Sequence, residues 1–300
     1  MEKRIAIILT FLLLWAIPAT AARRIVTVQS ISIPPYETAI EGFADICEGR
    51  VKRIVMSELT RKTLADRVGK LDPDLILAVG LDALKAVSPL ADYPMVYVMV
   101  LNPGRVGEQA NVTGIRMQVS PELQLQQIRS VFPTAARVGL LFHPDNTGSL
   151  VDRAMVESKK FGIELVAQAI RTAREVPGKL SEMAIRTDLF WMLPDIVVVT
   201  PQTLEFLLLH SVENQIPLIS FSAKYLEMGA CMSIEFDVFD MGRQAGEMAN
   251  RILSGTPMAQ VPQTGARKAV VTVNRTIANK FGIVIDVDTN RHIRVVDFGA

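Results

Sequence analysis

Apolar positions in this chain follow three patterns. The first is a single block: after Lys3 and Arg4, residues 5–17 are an almost unbroken apolar run, and Ala19-Thr20-Ala21 follows with small side chains. A charged start, a short apolar run and small residues are what a signal peptidase requires, so residues 1–21 read as a signal peptide removed at Ala22. The run is too short for a spanning helix. The second pattern is a series of short apolar runs between turn-forming residues. It predicts strands at 25–29, 51–57, 75–79, 96–100, 138–142, 164–167, 196–200, 218–221, 231–234 and 269–273, with a short closing strand at 293–296. Many are continuously apolar, as strands covered on both faces are. The third pattern is helical spacing. Ser120-Pro121 starts a helix through Leu123, Leu125, Ile128 and Val131, and a second runs over 239–253 and stops at Ser254-Gly255. Its small residues Gly242, Ala245, Gly246 and Ala249 predict close helix packing.

Strands and helices alternate, which implies parallel sheets and right-handed crossovers. About ten strands strain the limit of one twisted sheet. The expected architecture is α/β, with two Rossmann-like lobes of parallel strands joined by a multi-strand hinge. The chain passes between lobes near 111–116 and again near 233–237, giving an N-terminal lobe of 22–114 plus about 237–256 and a C-terminal lobe of 115–236 plus about 257–300.

The formal net charge of +1 falls to near zero once Glu2, Lys3 and Arg4 leave with the leader. The sequence therefore presents no basic field for nucleic acid and no polybasic stretch for an anionic membrane. Cys47 and Cys231 lie in segments read as a helix and a strand; they are expected as buried free thiols, although an exported chain could oxidise them. His143, His210 and His292 lack metal-ligand spacing. Ser149 and Ser222 have no G-x-S-x-G turn or assignable base, and the first strand is not followed by G-x-G-x-x-G. The reading is of a non-enzyme without cofactor or metal.

In open α/β sheets, ligands collect at the carboxyl ends of strands, beside helix N-termini. Six loops there are rich in hydroxyl, amide, Gly and Pro positions: residues 30–37, 80–82, 101–104, 143–149, 200–203 and 220–222. Each is also ordinary strand-to-helix turn chemistry, in which Asn146, Thr147 and Ser149 do no more than cap a helix.

The strings Asn111-Val112-Thr113-Gly114-Ile115, Val138-Gly139-Leu140-Leu141-Phe142-His143-Pro144 and Met241-Gly242-Arg243-Gln244-Ala245-Gly246 resemble the ABC-transporter substrate-binding family that includes tryptophan- and tyrosine-binding proteins. Ile216-Pro217-Leu218-Ile219-Ser220 and the strings Val273-Asn274 and Phe281-Gly282-Ile283 fit as well. The resemblance implies the type I periplasmic-binding fold, with a ligand held between the lobes. It assigns ligand contacts to Ile33, Pro34, Gly80, Leu81, Asp82 and Asn102 from the first lobe, and to Asn146, Thr147, Ser149, Gln202, Ser222 and Asp237 from the second lobe and the crossing. Where the family often carries Asp-Asn-Thr, this chain has Pro201-Gln202-Thr203, which removes a carboxylate suited to a ligand ammonium.

The expected protein is a periplasmic, monomeric solute-binding protein. It captures a small organic ligand, amino-acid-like molecules among the candidates, and delivers it to an ABC-type permease, with no nucleic acid partner and no stable membrane insertion after cleavage. A ligand-sensing module of a signalling system is the alternative, and an exported α/β enzyme a more distant one.

Overall fold

The computed structural model describes residues 23–58, 60–107, 109–284 and 293–298. The expected leader and His292 lie outside them.

In chain order the first elements are β1 (Arg23–Gln29), α1 (Pro34–Ile46), β2 (Gly49–Val55), α2 (Arg61–Leu71), β3 (Leu75–Val79), α3 (Leu81–Val87), β4 (Met95–Val100) and β5 (Val112–Val119). Next come α4 (Pro121–Val131), β6 (Arg137–Phe142), α5 (Pro144–Glu157), β7 (Glu164–Ala169), α6 (Val176–Ala184), β8 (Leu189–Trp191), α7 (Pro201–Glu213), β9 (Leu218–Ser220) and β10 (Met232–Phe236). The chain continues through α8 (Val238–Leu253), β11 (Thr264–Ala266), β12 (Ala269–Asn274), α9 (Arg275–Lys280) and β13 (Ile293–Val296).

The strands form two sheets. One has 6 strands in the order β11-β5-β4-β3-β1-β2, and the other 7 in the order β13-β12-β10-β9-β8-β6-β7. The first is parallel throughout; in the second only β10 and β12 run antiparallel. The continuous apolar runs have a direct cause. In β3, Leu75, Leu77 and Val79 pack into one apolar layer while Ile76 and Ala78 pack into the layer behind. Alternate side chains face opposite sides of a strand, so a strand covered on both faces has no polar phase.

Three predictions of local structure are corrected. Residues 196–200 form a turn over 196–198 and irregular chain after it, not a strand. Their β-branched side chains follow Asp195, whose carboxylate accepts the N–H of Val197 and favours a turn over a ladder. The strand of that repeat is β8, which ends before the apolar run begins. Residues 112–116, expected as a seam, lie inside β5, where Gly114 stands against Tyr97: a Cβ there would sit 2.3 Å from the Tyr97 carbonyl oxygen. Segment 257–266, expected with the second lobe, contributes β11 to the first sheet.

The chain passes between the sheets after Val119, after Phe236 and after Ala266. Because β5 and β11 are parallel, Val119 and Ala266 both mark the carboxyl edge of the first sheet. Phe236 pairs with Ala269 at the start of antiparallel β12, so both mark the carboxyl edge of the second. Ala266 and Ala269 are joined by two residues, which sets the carboxyl edges of both sheets on the side where the chain changes lobe.

The last two passages are tied together. The Asp237 N–H donates to the Lys268 carbonyl at 3.1 Å, and Lys268 Nζ lies 2.8 Å from Asp237 Oδ2. Arg267 donates to both oxygens of Asp240 and both of Glu247 on α8. Helix α8 itself lies on α1, where Gly42 and Gly242 let the two backbones touch.

Candidate ligand-binding cleft

The loops at the carboxyl edges carry the residues singled out by sequence, and the structure sorts them by what each is already bonded to.

On the first sheet, Ile33 is the N-cap of α1 and has no side-chain cap, while Pro34 and Pro35 open the helix. Two prolines remove two of the N–H groups a helix end normally leaves free, and the next two, of Tyr36 and Glu37, donate to the Ile33 carbonyl. This end therefore has few donors for an anion; it supplies shape and apolar surface. Ile31 beside it and Leu101 after β4 are 46 % and 70 % exposed, so apolar side chains stand open at this edge. The loop is held from beneath. Buried Gln29 donates to Glu37 Oε1 at 2.9 Å, Ser32 Oγ donates to the same oxygen, and Arg53 pairs with Glu37 Oε2. The Gln29 hydrogen bond leads the effects that lower the Glu37 pKa.

Gly80 is the N-cap of α3 at φ +91°, a left-handed conformation that favours glycine, and a Cβ there would lie 2.6 Å from the Tyr36 hydroxyl. Ser30 Oγ, from the neighbouring loop, accepts the Ala83 N–H at 2.9 Å and so caps α3. Leu81 and Asp82 follow in the first turn. Burial, then the Asp82 charge, raises the Tyr36 pKa, keeping its hydroxyl protonated and a donor at neutral pH. Asn102 is exposed and precedes a short 3-10 turn that its side chain does not cap.

On the second sheet the organising group is Asp195, which sequence reasoning missed. It is 1 % exposed. Its Oδ2 accepts from the His143 N–H at 2.8 Å and Thr147 Oγ1 at 2.6 Å; its Oδ1 accepts from the Val197 N–H at 2.9 Å and Asn146 Nδ2 at 3.2 Å. Burial alone would raise its pKa, but these donors outweigh that and hold it below the usual range. Thr147 is consequently buried and occupied. Asn146 is exposed, with its amide N–H committed to Asp195 and its carbonyl oxygen the group left for other partners. Ser149 is exposed one turn into α5. Gln202 is exposed in the first turn of α7, whose cap is the reciprocal Thr200–Thr203 pair. Ser222 is half-buried, and its carbonyl accepts from Ser220 Oγ at 3.0 Å. Asp237 is the N-cap of α8: its side chain accepts the Asp240 N–H at 3.0 Å and pairs with Lys268.

The geometry thus assembles two groups: Ile33, Pro34, Gly80, Leu81 and Asp82 around Tyr36 and Ser30, and Asn146 and Thr147 around Asp195. Among the described residues, no three His, Cys, Asp or Glu side chains gather as a metal site, and no helix is long and apolar enough to cross a membrane. Cys47 and Cys231 are both free, and burial pushes their thiols up to about 11 and about 12.

Residues 59–290 match the family model described as ABC transporter substrate binding protein. A tyrosine-binding protein of Clostridioides difficile (strain R20291) is 24% identical over 225 residues, 72% of this chain; the match spans 65% of that relative's length. Among solved structures, the ligand-free, open form of a substrate binding protein with adhesive properties from Clostridium difficile superposes with a TM-score of 0.70 at 21% identity, covering 92% of this chain and 100% of that one. An ABC domain in complex with L-Trp from Streptococcus pneumonia gives 0.54 at 19% identity, covering 91% and 100%. At such identities these likenesses speak for the two-lobed α/β fold. The family match covers most of the chain, and the chain belongs to the ABC transporter substrate binding protein family.

Proposed function

We propose that this protein is exported through its N-terminal leader, captures a small organic ligand between its two lobes, and delivers it to an ABC-type permease. The observation that carries this reading is the three-fold chain passage at the carboxyl edges. It brings the loops of both sheets to one side and joins the lobes by segments short enough to act as a hinge.

The ligand would meet two unlike surfaces. The first lobe offers apolar Ile31, Ile33, Pro34 and Leu101, with Asp82, Asn102 and the Tyr36 hydroxyl as polar groups. The second offers the Asn146 carbonyl, the Ser149 hydroxyl and the Gln202 amide at two helix N-termini, where the positive dipole end favours electron-rich groups. An apolar body with a polar head suits such a pair of walls. The relatives named for tyrosine and bound to L-Trp make aromatic amino acids the first ligands to test. Gln202 supplies no carboxylate for an ammonium, so Asp82 and Asp237 are the acidic groups for that task.

Mass spectrometry of small molecules released from the purified, denatured protein identifies the ligand, and calorimetry with that ligand tests the site. Asn146→Ala and Asp237→Ala should weaken affinity roughly 5- to 150-fold, because a buried ligand group left unpaired costs about 1–3 kcal/mol. Lower melting temperatures with unchanged affinity would make both residues helix caps only and remove them from the site. N-terminal sequencing of exported protein that still began at Met1 would overturn the leader.

A further inference from the structure

Strand β2 is the open edge of the first sheet, and α2 packs beside it through Leu64 and Val68. Between them lies a cavity of about 420 Å³ lined by Lys52, Arg53, Ile54, Arg67, Lys70 and Leu71. None of these residues belongs to the carboxyl-edge loops. The floor is aliphatic, with Ile54 buried, and the rim is cationic. Arg53 is paired with Glu37; among the described residues Lys52, Arg67 and Lys70 form no ion pair. Around it Arg50, Lys52, Arg53, Arg67 and Lys70 stand with Asp66, in a chain of formal net charge +1. Asp72 and Asp74, just beyond Leu71, are engaged by Arg24.

Exposed Lys on an edge strand often serves only to repel other strands. That role involves cations of the strand alone. Here exposed cations from the strand and from the helix border one concavity; water and salt soften their mutual repulsion, and a bound anion would relieve it further. We propose that the cavity binds a phosphate-bearing anion. Arg67 offers a planar fork to two phosphate oxygens, and the lysines offer point charges. The aliphatic floor of Ile54 and Leu71 takes the carbon skeleton of a phosphoester, and the volume falls within the range of small-ligand sites, about 300–1,000 Å³. A soluble phosphoester and a lipid headgroup share this chemistry.

The test uses the full mature chain and its Lys52→Gln/Lys70→Gln variant, which leaves the Arg53–Glu37 pair in place; equal melting curves establish that both are folded. Each is titrated with glycerol 3-phosphate at low salt, and each is floated with vesicles of phosphatidylcholine alone or mixed with phosphatidylglycerol. The wild type should bind glycerol 3-phosphate at least about tenfold more tightly than the variant, and added salt should weaken it. Flotation with phosphatidylglycerol vesicles, lost in the variant, assigns the site to a lipid headgroup; titration without flotation assigns it to a soluble phosphoester. Equal binding by wild type and variant, or binding of neither probe, overturns the proposal. Ligand capture in the cleft is read separately by the calorimetry above, so failure here leaves that reading standing.

Discussion

Replacing Gly242 by alanine sets helix propensity against packing. On propensity alone the change stabilises: Gly inside a helix costs about 1 kcal/mol relative to Ala. The structure predicts the opposite sign. A Cβ at Gly242 would stand 2.0 Å from the Ala39 carbonyl oxygen and 2.8 Å from the Phe43 nitrogen, both backbone atoms of α1. A carbon–oxygen contact of about 3.3 Å is the ordinary close limit, so the helices would have to part by about 1.3 Å. Gly42 faces the same seam from the other side, its Cβ 2.0 Å from the Phe239 carbonyl oxygen. Neither helix can yield by a rotamer change. Parting them would loosen Met241, Ala245 and Ala249 from the apolar layer beneath. Overpacking of this kind costs about 1–3 kcal/mol, and with backbone on both sides the upper end applies. Net destabilisation of about 2 kcal/mol remains after the propensity gain, a fall of about 4–8 °C in melting temperature for a domain of this size. Gly69→Ala is the matched control: Gly69 is in α2, and no heavy atom lies within 4 Å of the point its new methyl group would occupy. It should melt at or slightly above wild type. Calorimetry and guanidinium unfolding of the three proteins decide it; Gly242→Ala melting as high as Gly69→Ala would refute the reasoning.

Asp195→Asn keeps the shape but removes the charge that five donors converge on, and should destabilise the second lobe by about 3 kcal/mol, read by urea unfolding. Because the folded pKa of Asp195 is lowered, its contribution is present above the unfolded value of 3.8 and is lost as pH falls through the lower folded value, so the variant should flatten the acid limb of the stability curve. His210 works in the same direction by another cause. Burial lowers its pKa, Nε2 has no hydrogen-bond partner among the described residues, and below the unfolded value of 6.5 the unfolded chain takes up a proton that the folded chain refuses. Stability should therefore fall as pH drops from about 6.5 toward the folded pKa, and denaturant midpoints of His210→Gln should lose that slope.

Much of the frame was legible because its causes are local. Leu75–Val79 is apolar at every position since both faces of its sheet are covered, and Ser120-Pro121 starts a helix where its side chains predict. The failures have causes that local pattern does not carry. β5 hides as Thr-Gly-Ile-Arg because Gly114 yields space to Tyr97 and Thr113 donates to the Val261 carbonyl, 148 positions away. The run after Asp195 reads as a strand because valines favour one, while the carboxylate that turns the chain is itself fixed by His143, Asn146 and Thr147, about 50 positions earlier. The same bonds explain why the site was only partly legible. Thr147 and Asn146 were singled out for their chemistry, but which of their atoms remain available depends on that distant acid.

The tie between Asp237 and Lys268 has a mechanical consequence. Strands β10 and β12 form an antiparallel ribbon, and the hydrogen bond and ion pair continue that ribbon across the gap between lobes. Two separate strings would let one lobe twist, slide and tilt against the other. A paired ribbon bends readily out of its own plane and resists shear within it. Arg267, gripping α8 through two carboxylates, roots the ribbon in the first lobe. On the proposed function, closure about this ribbon would be close to a single swing, leaving a ligand little orientational freedom to remove. These ties are solvent-accessible and therefore screened by salt. Ionic strength should then act on how many ways the open protein can move, leaving the shape of its closed form unchanged.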